Sequence, residues 1–329
     1  MNRALEGHAV ERADGCWASP GSPRQLADLL HVLAGAGLAL GREVKLSRSN
    51  LSRVIRIEPK SALAEVETGL TLQALEAAVR EKQLTLGPLS PFAMRLTLAE
   101  FLEGPLAGLR AISPGRLEPL CLSLHGLTAL GQPISTADAP RSAAGPDLMA
   151  LFLGAHGRLA LTTRAVVRCL PTTPKAAVLV FSFSNAATLV SALLASLTDG
   201  VCPAYARAEK RAERWVLEVE PHGSAELVAR DRATLEKRVF DVGGRPSSRD
   251  SAESPIAAGP TAPWREASWP RVLAALDGGE PLALHRLSLS SAVVNGNCDG
   301  LDLDGAAPWT VGAELARALD GRAVLGGVP

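Results

Sequence analysis

The chain has 329 residues, of which 47% are hydrophobic and 21% are charged. This composition is typical of a folded globular protein, and the length predicts two packed units rather than one. The 34 lysines and arginines balance 34 acidic residues, so the chain has no net field that would hold a polyanion or an anionic bilayer. We therefore exclude nucleic acid and membrane surfaces as partners.

The N-terminal sequence and the cysteines both predict a cytoplasmic protein. Charged residues are spread through residues 1–20, and they leave no apolar core for a secretory signal. The longest apolar stretches are too short and too polar to span a bilayer. The cysteines show neither CxxC spacing nor Cys/His clusters, so reduced and mostly buried thiols are expected; they are Cys16, Cys121, Cys169, Cys202 and Cys298.

The first half of the chain alternates predicted helices and strands. Ser22 and Pro23 supply the N-cap and first position of an amphipathic helix. Short runs of alternating apolar and polar residues within 44–67 predict strands, and Thr71 caps a second amphipathic helix. A loop-rich segment then leads to another strand-like run at residues 120–130.

The second half begins with a different pattern of elements. Residues 175–243 read as strand, helix, hairpin and helix, with Asn185 as the cap of the first helix. That order is typical of a split βαβ, ferredoxin-like layer. Residues 244–263 combine Gly, Pro, Ser and charge, which predicts a flexible linker. Residues 264–329 then predict a short helix, a strand and a terminal helix.

The most distinctive stretch is PRSAAGPDLMALFLGAHGRLALTTRAVVRCLP, residues 140–171. It resembles the pattern K-x-x-x-G-Y-D-L-x-x-L-x-x-G-S-E-G-T-L-G-x-x-T in the FAD domain of the vanillyl-alcohol-oxidase/PCMH-type FAD-binding oxidoreductases. The basic, glycine, acidic, leucine and threonine positions of that pattern are matched by Arg141, Gly145, Asp147, Leu148, Leu151, Gly154, Gly157, Leu159 and Thr163.

The resemblance implies an α+β fold with a defined domain order. Residues 1–172 would form a degenerate, two-subdomain PCMH-type FAD-binding domain. Residues 173–243 would form the ferredoxin-like cap domain that usually covers the isoalloxazine of the flavin. The linker at 244–263 would follow, and residues 264–329 would complete the cap and FAD domains.

The resemblance also implies a cofactor, FAD, held without a covalent bond. In the family the turn matched by Gly154 and Gly157 approaches the flavin through backbone groups, and a side chain there would occupy the cofactor's volume. The implied cofactor-binding residues are Arg141, Gly145, Asp147, Leu148, Gly154, Gly157, Leu159 and Thr163. The sequence identifies no catalytic residue.

One part of the family's cofactor-binding machinery is missing from this sequence. The family has a glycine-rich loop whose successive N–H groups cradle the FAD pyrophosphate, but here Gly41 is the only glycine between Leu38 and Thr68. A second glycine loop is replaced by the segment 97–100, whose Glu100 would bring like charge towards phosphate oxygens.

Basic side chains offer an alternative anion site. Arg42, Lys45 and Arg48 fall near the place of the missing loop and would neutralise a pyrophosphate through side chains if they converge. The ordinary interpretation, a solvated basic strand edge, is favoured over this one.

Other chemical motifs are weak. The segment Asn295–Gly300 resembles the start of a calcium loop, but Ala306 stands where the last carboxylate ligand is needed, so a polar turn is favoured and no metal is predicted. His156 would suit proton transfer, although a surface-turn histidine is favoured. Tyr205 is a candidate for a phenolic catalytic group in the cap.

Two functions therefore remain open at the level of sequence. The first is an FAD-dependent oxidoreductase that passes a hydride from a small hydroxy acid or alcohol to the flavin, working with partner subunits. The second is a flavin-free descendant that serves as a structural or regulatory subunit, which the missing loop supports. The resemblance does not decide whether the chain is an enzyme.

Overall fold

The computed structural model describes residues 7–13, 15–104, 106–113, 116–136, 148–172, 177–211, 213–247, 264–279, 282–285, 291–295 and 301–302. Within them the chain forms two units, each with a sheet system and its own apolar core.

The first unit runs from β1 to β12. Its strands are β1 (Val10–Arg12), β2 (Gly15–Ala18), β3 (Val44–Leu46), β4 (Val54–Glu58), β5 (Leu63–Glu67), β6 (Leu84–Thr85), β7 (Leu109–Ser113), β8 (Arg116–Pro119), β9 (Cys121–Leu127), β10 (Pro133–Ser135), β11 (Leu161–Arg168) and β12 (Leu170–Pro171). Its helices are α1 (Pro23–Ala36), α2 (Leu72–Arg80), α3 (Leu98–Glu103) and α4 (Met149–Phe152), and a 3₁₀ turn covers Ala93–Arg95.

The starts of the helices follow from their capping residues. The hydroxyl of Ser22 accepts a hydrogen bond from the backbone N–H of Gln25, and Pro23 takes the first helical position of α1. Thr71 caps α2 in the same way through the N–H of Ala74. Both predicted helices and their caps are confirmed.

Two sheets organise the first unit. The smaller has the order β1-β2-β3, in which β2 and β3 are parallel and joined by α1. The larger is antiparallel, with the order β10-β9-β11-β5-β4. Its inner strands pack against α2 and α3 in a core that includes Leu75, Phe101 and Val167.

The second unit continues with β13 to β20. Its strands are β13 (Leu179–Phe183), β14 (Pro203–Arg211), β15 (Arg214–Pro221), β16 (Arg245–Pro246), β17 (Trp264–Ser268), β18 (Leu282–His285), β19 (Ser291–Asn295) and β20 (Leu301–Asp302). Its helices are α5 (Ala186–Thr198), α6 (Ala225–Asp241) and α7 (Trp269–Asp277).

These strands form one sheet with the order β16-β13-β15-β14-β18-β19-β17-β20. The order of the first four strands, with α5 and α6 as crossovers, is that of a split βαβ unit. The three helices share one core with the sheet, in which Leu193, Leu217 and Val272 are buried. The continuation of the sheet through β18 to β20 was not predicted from the sequence.

The predicted linker at 244–263 begins inside this sheet. Arg245 pairs with Ser182 and Pro246 with Phe181, so its first residues form the edge strand β16. Residues 248–263 lie outside the described residues, as do the predicted terminal helix and Cys298. Among the described helices, none is both long and apolar enough to cross a membrane.

Candidate functional site

The glycine turn that carries the family resemblance joins α4 to β11. Gly154 and Gly157 have φ angles of 72° and 73°, and His156 between them has a φ of 53°. The left-handed region favours glycine, because a side chain at positive φ is strained, so the backbone path favours glycine at both positions.

The turn binds another part of the same chain. The N–H of Gly154 donates to the carbonyl of Leu102 at 2.9 Å, and the N–H of His156 donates to the carbonyl of Glu103 at 2.8 Å. A Cβ added to Gly154 would lie 3.2 Å from the Cβ of Ala107. Two amides of the turn are therefore already used by the end of α3, and they are not available to a ligand.

A charged side chain fills the space beside Gly157. A Cβ added to Gly157 would lie 3.4 Å from Oε2 of Glu103 and 3.3 Å from Cδ2 of Leu161. Gly157 itself is buried. The close backbone approach implied by the resemblance thus exists, but it is made to a carboxylate of this chain.

Glu103 is held by a bidentate ion pair with Arg48. The Nη1 of Arg48 donates to Oε1 at 2.6 Å and its Nη2 donates to Oε2 at 2.7 Å. The backbone N–H of Thr162 donates to Oε1 at 2.8 Å, and the Thr162 hydroxyl adds a further bond. The side chains of Arg48 and Glu103 are only 14% and 7% exposed, so the pair is nearly withdrawn from water.

The electrostatics of Arg48 reflect this arrangement. Burial disfavours the charged guanidinium, but the charge and hydrogen bonds of Glu103 outweigh that cost and raise the pKa of Arg48 above its ordinary value. Arg48 also donates to the carbonyl of Thr162 at 3.1 Å. Its terminal nitrogens are thereby committed to groups of the chain.

The connection between β3 and β4 is a tight turn that packs directly on Gly69. A Cβ added to Gly69 would lie 1.8 Å from the carbonyl oxygen of Arg48 and 2.7 Å from that of Leu51. The N–H of Gly69 donates to the carbonyl of Leu51 at 2.8 Å. The turn therefore closes the place where the sequence resemblance locates the missing glycine-rich loop.

The other basic side chains do not converge on this place. Lys45 lies over the ring of Trp17, with its Nζ 5.3 Å from the ring centroid, and Arg42 is exposed. Glu100 completes a capping box with Thr97 at the start of α3. The exposure of Arg42 and Lys45 agrees with the favoured interpretation of a solvated strand edge rather than with the alternative anion site, and Arg48 is paired with Glu103.

The remaining predicted cofactor residues lie apart from this pair or outside the described residues. Leu159 is buried in the first core, Leu148 is exposed, and the hydroxyl of Thr163 donates to the carbonyl of His125 at 3.3 Å. Arg141, Gly145 and Asp147 lie outside the described residues.

The described residues do not fit FAD in the manner that the resemblance implies. The resemblance implies that the flavin approaches the backbone at Gly157, whereas that position holds the carboxylate of Glu103. At the place of the missing glycine-rich loop, where the pyrophosphate is expected, the guanidinium of Arg48 is already paired with Glu103.

A cleft between the two units is a second candidate site, which was not predicted from the sequence. Its volume is about 590 Å³, and it is lined by α2, the segment 85–95 and the ends of β14 and β15. Glu76, Arg80 and His222 contribute polar groups to its walls. Glu76 and Arg80 lie on α2 whereas His222 follows β15, so no local motif marks the site.

The face of the second unit's sheet that points away from its core carries a network of buried charges. Arg207 and Arg211 are ion-paired with Glu209 and Glu218. Tyr205 donates to Oε2 of Glu218 at 3.2 Å, and its burial beside that carboxylate raises the pKa of the phenol. Tyr205 is thus a hydrogen-bond donor within the network and not a phenolate base.

Metal ligands are not grouped in the part of the chain that the structure describes, where no cluster of three His, Cys, Asp or Glu residues could hold an ion. Of the calcium-like segment Asn295–Gly300, only Asn295 is described, as the last residue of β19.

Comparisons with known proteins define the class of this fold. The alkyldihydroxyacetonephosphate synthase structure superposes with a TM-score of 0.70 at 11% identity, covering 95% of this chain and 76% of that one. The p-cresol methylhydroxylase structure superposes with a TM-score of 0.58 at 12% identity, covering 93% and 79%. The fold is that of the PCMH-type flavoenzymes, and the α+β fold predicted from the resemblance is confirmed.

Sequence relatives support the same family. Glycolate oxidase subunit GlcD of Escherichia coli K12 is 26% identical over 171 residues, which cover 52% of this chain and 34% of that protein. The uncharacterized FAD-linked oxidoreductase YgcU of the same organism is 30% identical over 146 residues, or 43% and 29%. No protein-family profile matches the chain. The chain is similar in sequence to these two proteins over part of its length, and the matched segments span about a third of the length of these curated relatives.

Proposed function

We propose that this chain is a flavin-free subunit, built on the scaffold of an FAD-linked oxidoreductase, with a structural or regulatory role in an oxidoreductase assembly. The observation that carries the proposal is the buried Arg48–Glu103 pair, which takes the space beside Gly157. A carboxylate in this position opposes a pyrophosphate by charge, and the adjoining turn amides are already hydrogen-bonded to α3.

Partner subunits are the second part of the proposal. The relative from Escherichia coli is named as a subunit of glycolate oxidase, which supports an assembly with partner subunits. A protein that keeps a flavoenzyme fold without its cofactor retains the surfaces of that fold, and such surfaces suit association with related chains.

A second candidate function is favoured by the names of the relatives. Several sequence matches are FAD-linked oxidoreductases or act on hydroxy acids, including a D-lactate dehydrogenase of Archaeoglobus fulgidus at 25% identity over 194 residues. On this alternative the chain itself binds FAD non-covalently and oxidises a small hydroxy acid or alcohol. It requires that Glu103 and Arg48 separate to admit the pyrophosphate.

Thermal unfolding with and without FAD separates the two functions. A ligand that binds only the folded state at one hundred times its Kd adds about 2.7 kcal/mol to the free energy of unfolding. We expect the unfolding midpoint of the full chain to be the same with and without excess FAD. A flavin-binding relative, measured in parallel, should show the increase, and a similar increase in this chain would favour the second candidate.

The assembly can be tested without knowledge of the partner's identity. The tagged chain, purified from the cells that make it naturally, should elute with a second polypeptide that carries the flavin. After the complex is separated in denaturant, the flavin should be recovered with that second polypeptide. Recovery of this chain as a free monomer under all such conditions would argue against a subunit role.

A further inference from the structure

The cleft between the two units has the size and the walls of a small-molecule site. Its volume of about 590 Å³ lies in the range of ligand pockets. One wall is the outer face of α2, and the opposite wall is formed by Ala204 and the segment Glu220–His222. Arg48 and Glu103 are not among the residues that line this cleft.

Arg80 supplies the group most suited to bind an anion. Its Nε donates to Oε1 of Glu76 at 2.6 Å, and its side chain is 44% exposed. Within the described residues, its two terminal nitrogens make no hydrogen bond. The terminal N–H groups of a guanidinium can match the two oxygens of a carboxylate.

Glu76 does not block this role, because its carboxylate is already fully engaged. Besides Arg80, its Oε1 accepts from the hydroxyl of Thr85 at 2.7 Å, and its Oε2 accepts from the N–H of Leu86 at 2.7 Å. These bonds fix Glu76 in the wall of the cleft. In turn Glu76 fixes the orientation of Arg80.

His222 faces the same groups from the second unit. Burial lowers the pKa of its imidazole, the charge of Glu76 opposes that shift, and the charges of Arg110 and Arg80 reinforce it. Glu220 and Arg95 also line the cleft. Because these groups act on the imidazole electrostatically, an anion held at Arg80 would act on it as well.

Another part of the lining is apolar. Leu89, Pro91, Met94 and Pro221 provide a surface without charge. A ligand that reaches from Arg80 across this surface would bury its hydrocarbon part there.

We propose that this cleft binds a small monocarboxylate with a short apolar tail, whose carboxylate is held by the guanidinium of Arg80 and whose tail lies against Leu89 and Met94. The site is assembled from both units, so its occupation links them. The proposal does not depend on whether the chain binds FAD, since none of its residues contacts Glu103 or Gly157.

Isothermal titration with butyrate tests the charge requirement. With one ionic anchor and a short tail, we expect a Kd on the order of 1 mM. Butyramide, which has nearly the same shape without the charge, should bind about tenfold more weakly. Equal binding of the two compounds would overturn the proposal. So would the absence of butyrate binding at about tens of millimolar, well above the expected Kd.

Two variants locate the binding in the cleft. Arg80→Gln removes the anchor and should weaken butyrate binding about tenfold, whereas Arg56→Gln, an exposed arginine on β4, should leave it unchanged. Gln73→Trp places a large ring at an exposed position of the cleft lining without removing a charge, and it should also weaken binding. Unchanged binding in both cleft variants would refute the assignment, and circular dichroism spectra matching the wild type would show that each variant is folded.

Discussion

Glu103 is the residue whose carboxylate occupies the space beside the glycine turn. Its carboxylate is nearly buried, paired with Arg48 and bonded to Thr162. Desolvation of two charges is costly, and a buried pair repays that cost only when its geometry is good and its other lone pairs are satisfied. The bidentate geometry and the two bonds from Thr162 meet that condition.

Removal of the Glu103 side chain should therefore lower the free energy of unfolding more than removal of an exposed ion-pair partner. Glu103→Ala leaves a buried guanidinium unpaired, and we expect the free energy of unfolding to fall by about 3–5 kcal/mol in urea denaturation. Asp199→Ala, which breaks the half-exposed pair with Arg238, should cost about 1 kcal/mol or less. Similar losses in both variants would contradict the assignment of Glu103 to a buried ion pair.

His222 makes a specific contribution to the dependence of stability on pH. Burial lowers the pKa of its imidazole below the ordinary value of 6.5, so the unfolded chain takes up a proton at a higher pH than the folded chain. Stability is then lost as the pH falls below about 6.5 towards the folded pKa.

A His222→Gln variant should remove that part of the acid slope. We expect wild type and variant to show parallel unfolding midpoints from pH 8 to about 7, and the wild type to decline more steeply between about pH 6.5 and 5. Identical slopes in that window would show that His222 does not titrate differently in the folded state.

Residue patterns in the sequence identify the glycine turn but not the contact that the turn makes. The glycines at 154 and 157 could be recognised because their spacing is local, and the missing glycine-rich loop could be read directly. The Arg48–Glu103 contact could not be predicted, since the two residues are 55 positions apart and neither belongs to a motif. The only indication of this contact in the sequence was a charged residue at the end of a mostly apolar helix.

At the scale of secondary structure, the local capping rules were sufficient. Ser22, Thr71 and Asn185 each accept the hydrogen bond expected of an N-cap. The pairing of β17 to β20 onto the second sheet was missed, because strand partners are set by tertiary contacts that a short alternating run does not specify.

The turn between β3 and β4 gives a prediction at this scale. Gly69→Ala would place a Cβ 1.8 Å from the carbonyl oxygen of Arg48, so the backbone must shift, and we expect a loss of at least about 2 kcal/mol. Gly35→Ala in α1, where nothing lies within 4 Å of the new Cβ, should be neutral or stabilising by up to about 1 kcal/mol. Chemical denaturation compares the two, and equal stability would show that the turn does not pack on Gly69.

At the scale of the whole molecule, we propose that the fold has been kept while the cofactor site has been lost. The chain superposes on a flavoenzyme over 95% of its length, although the described cofactor turn is filled by its own side chains. The fold depends on many apolar positions that tolerate exchange, whereas a pyrophosphate site depends on a few glycines and one local charge balance. Substitution of those few positions changes the ligand without changing the architecture.

The visible absorption spectrum of the purified chain tests this central claim most directly. After incubation with excess FAD and removal of unbound cofactor, we predict a colourless protein without a flavin band. A yellow protein that retains about one flavin per chain, and releases it only on denaturation, would contradict the account. It would mean that Glu103 and Arg48 separate to admit the cofactor.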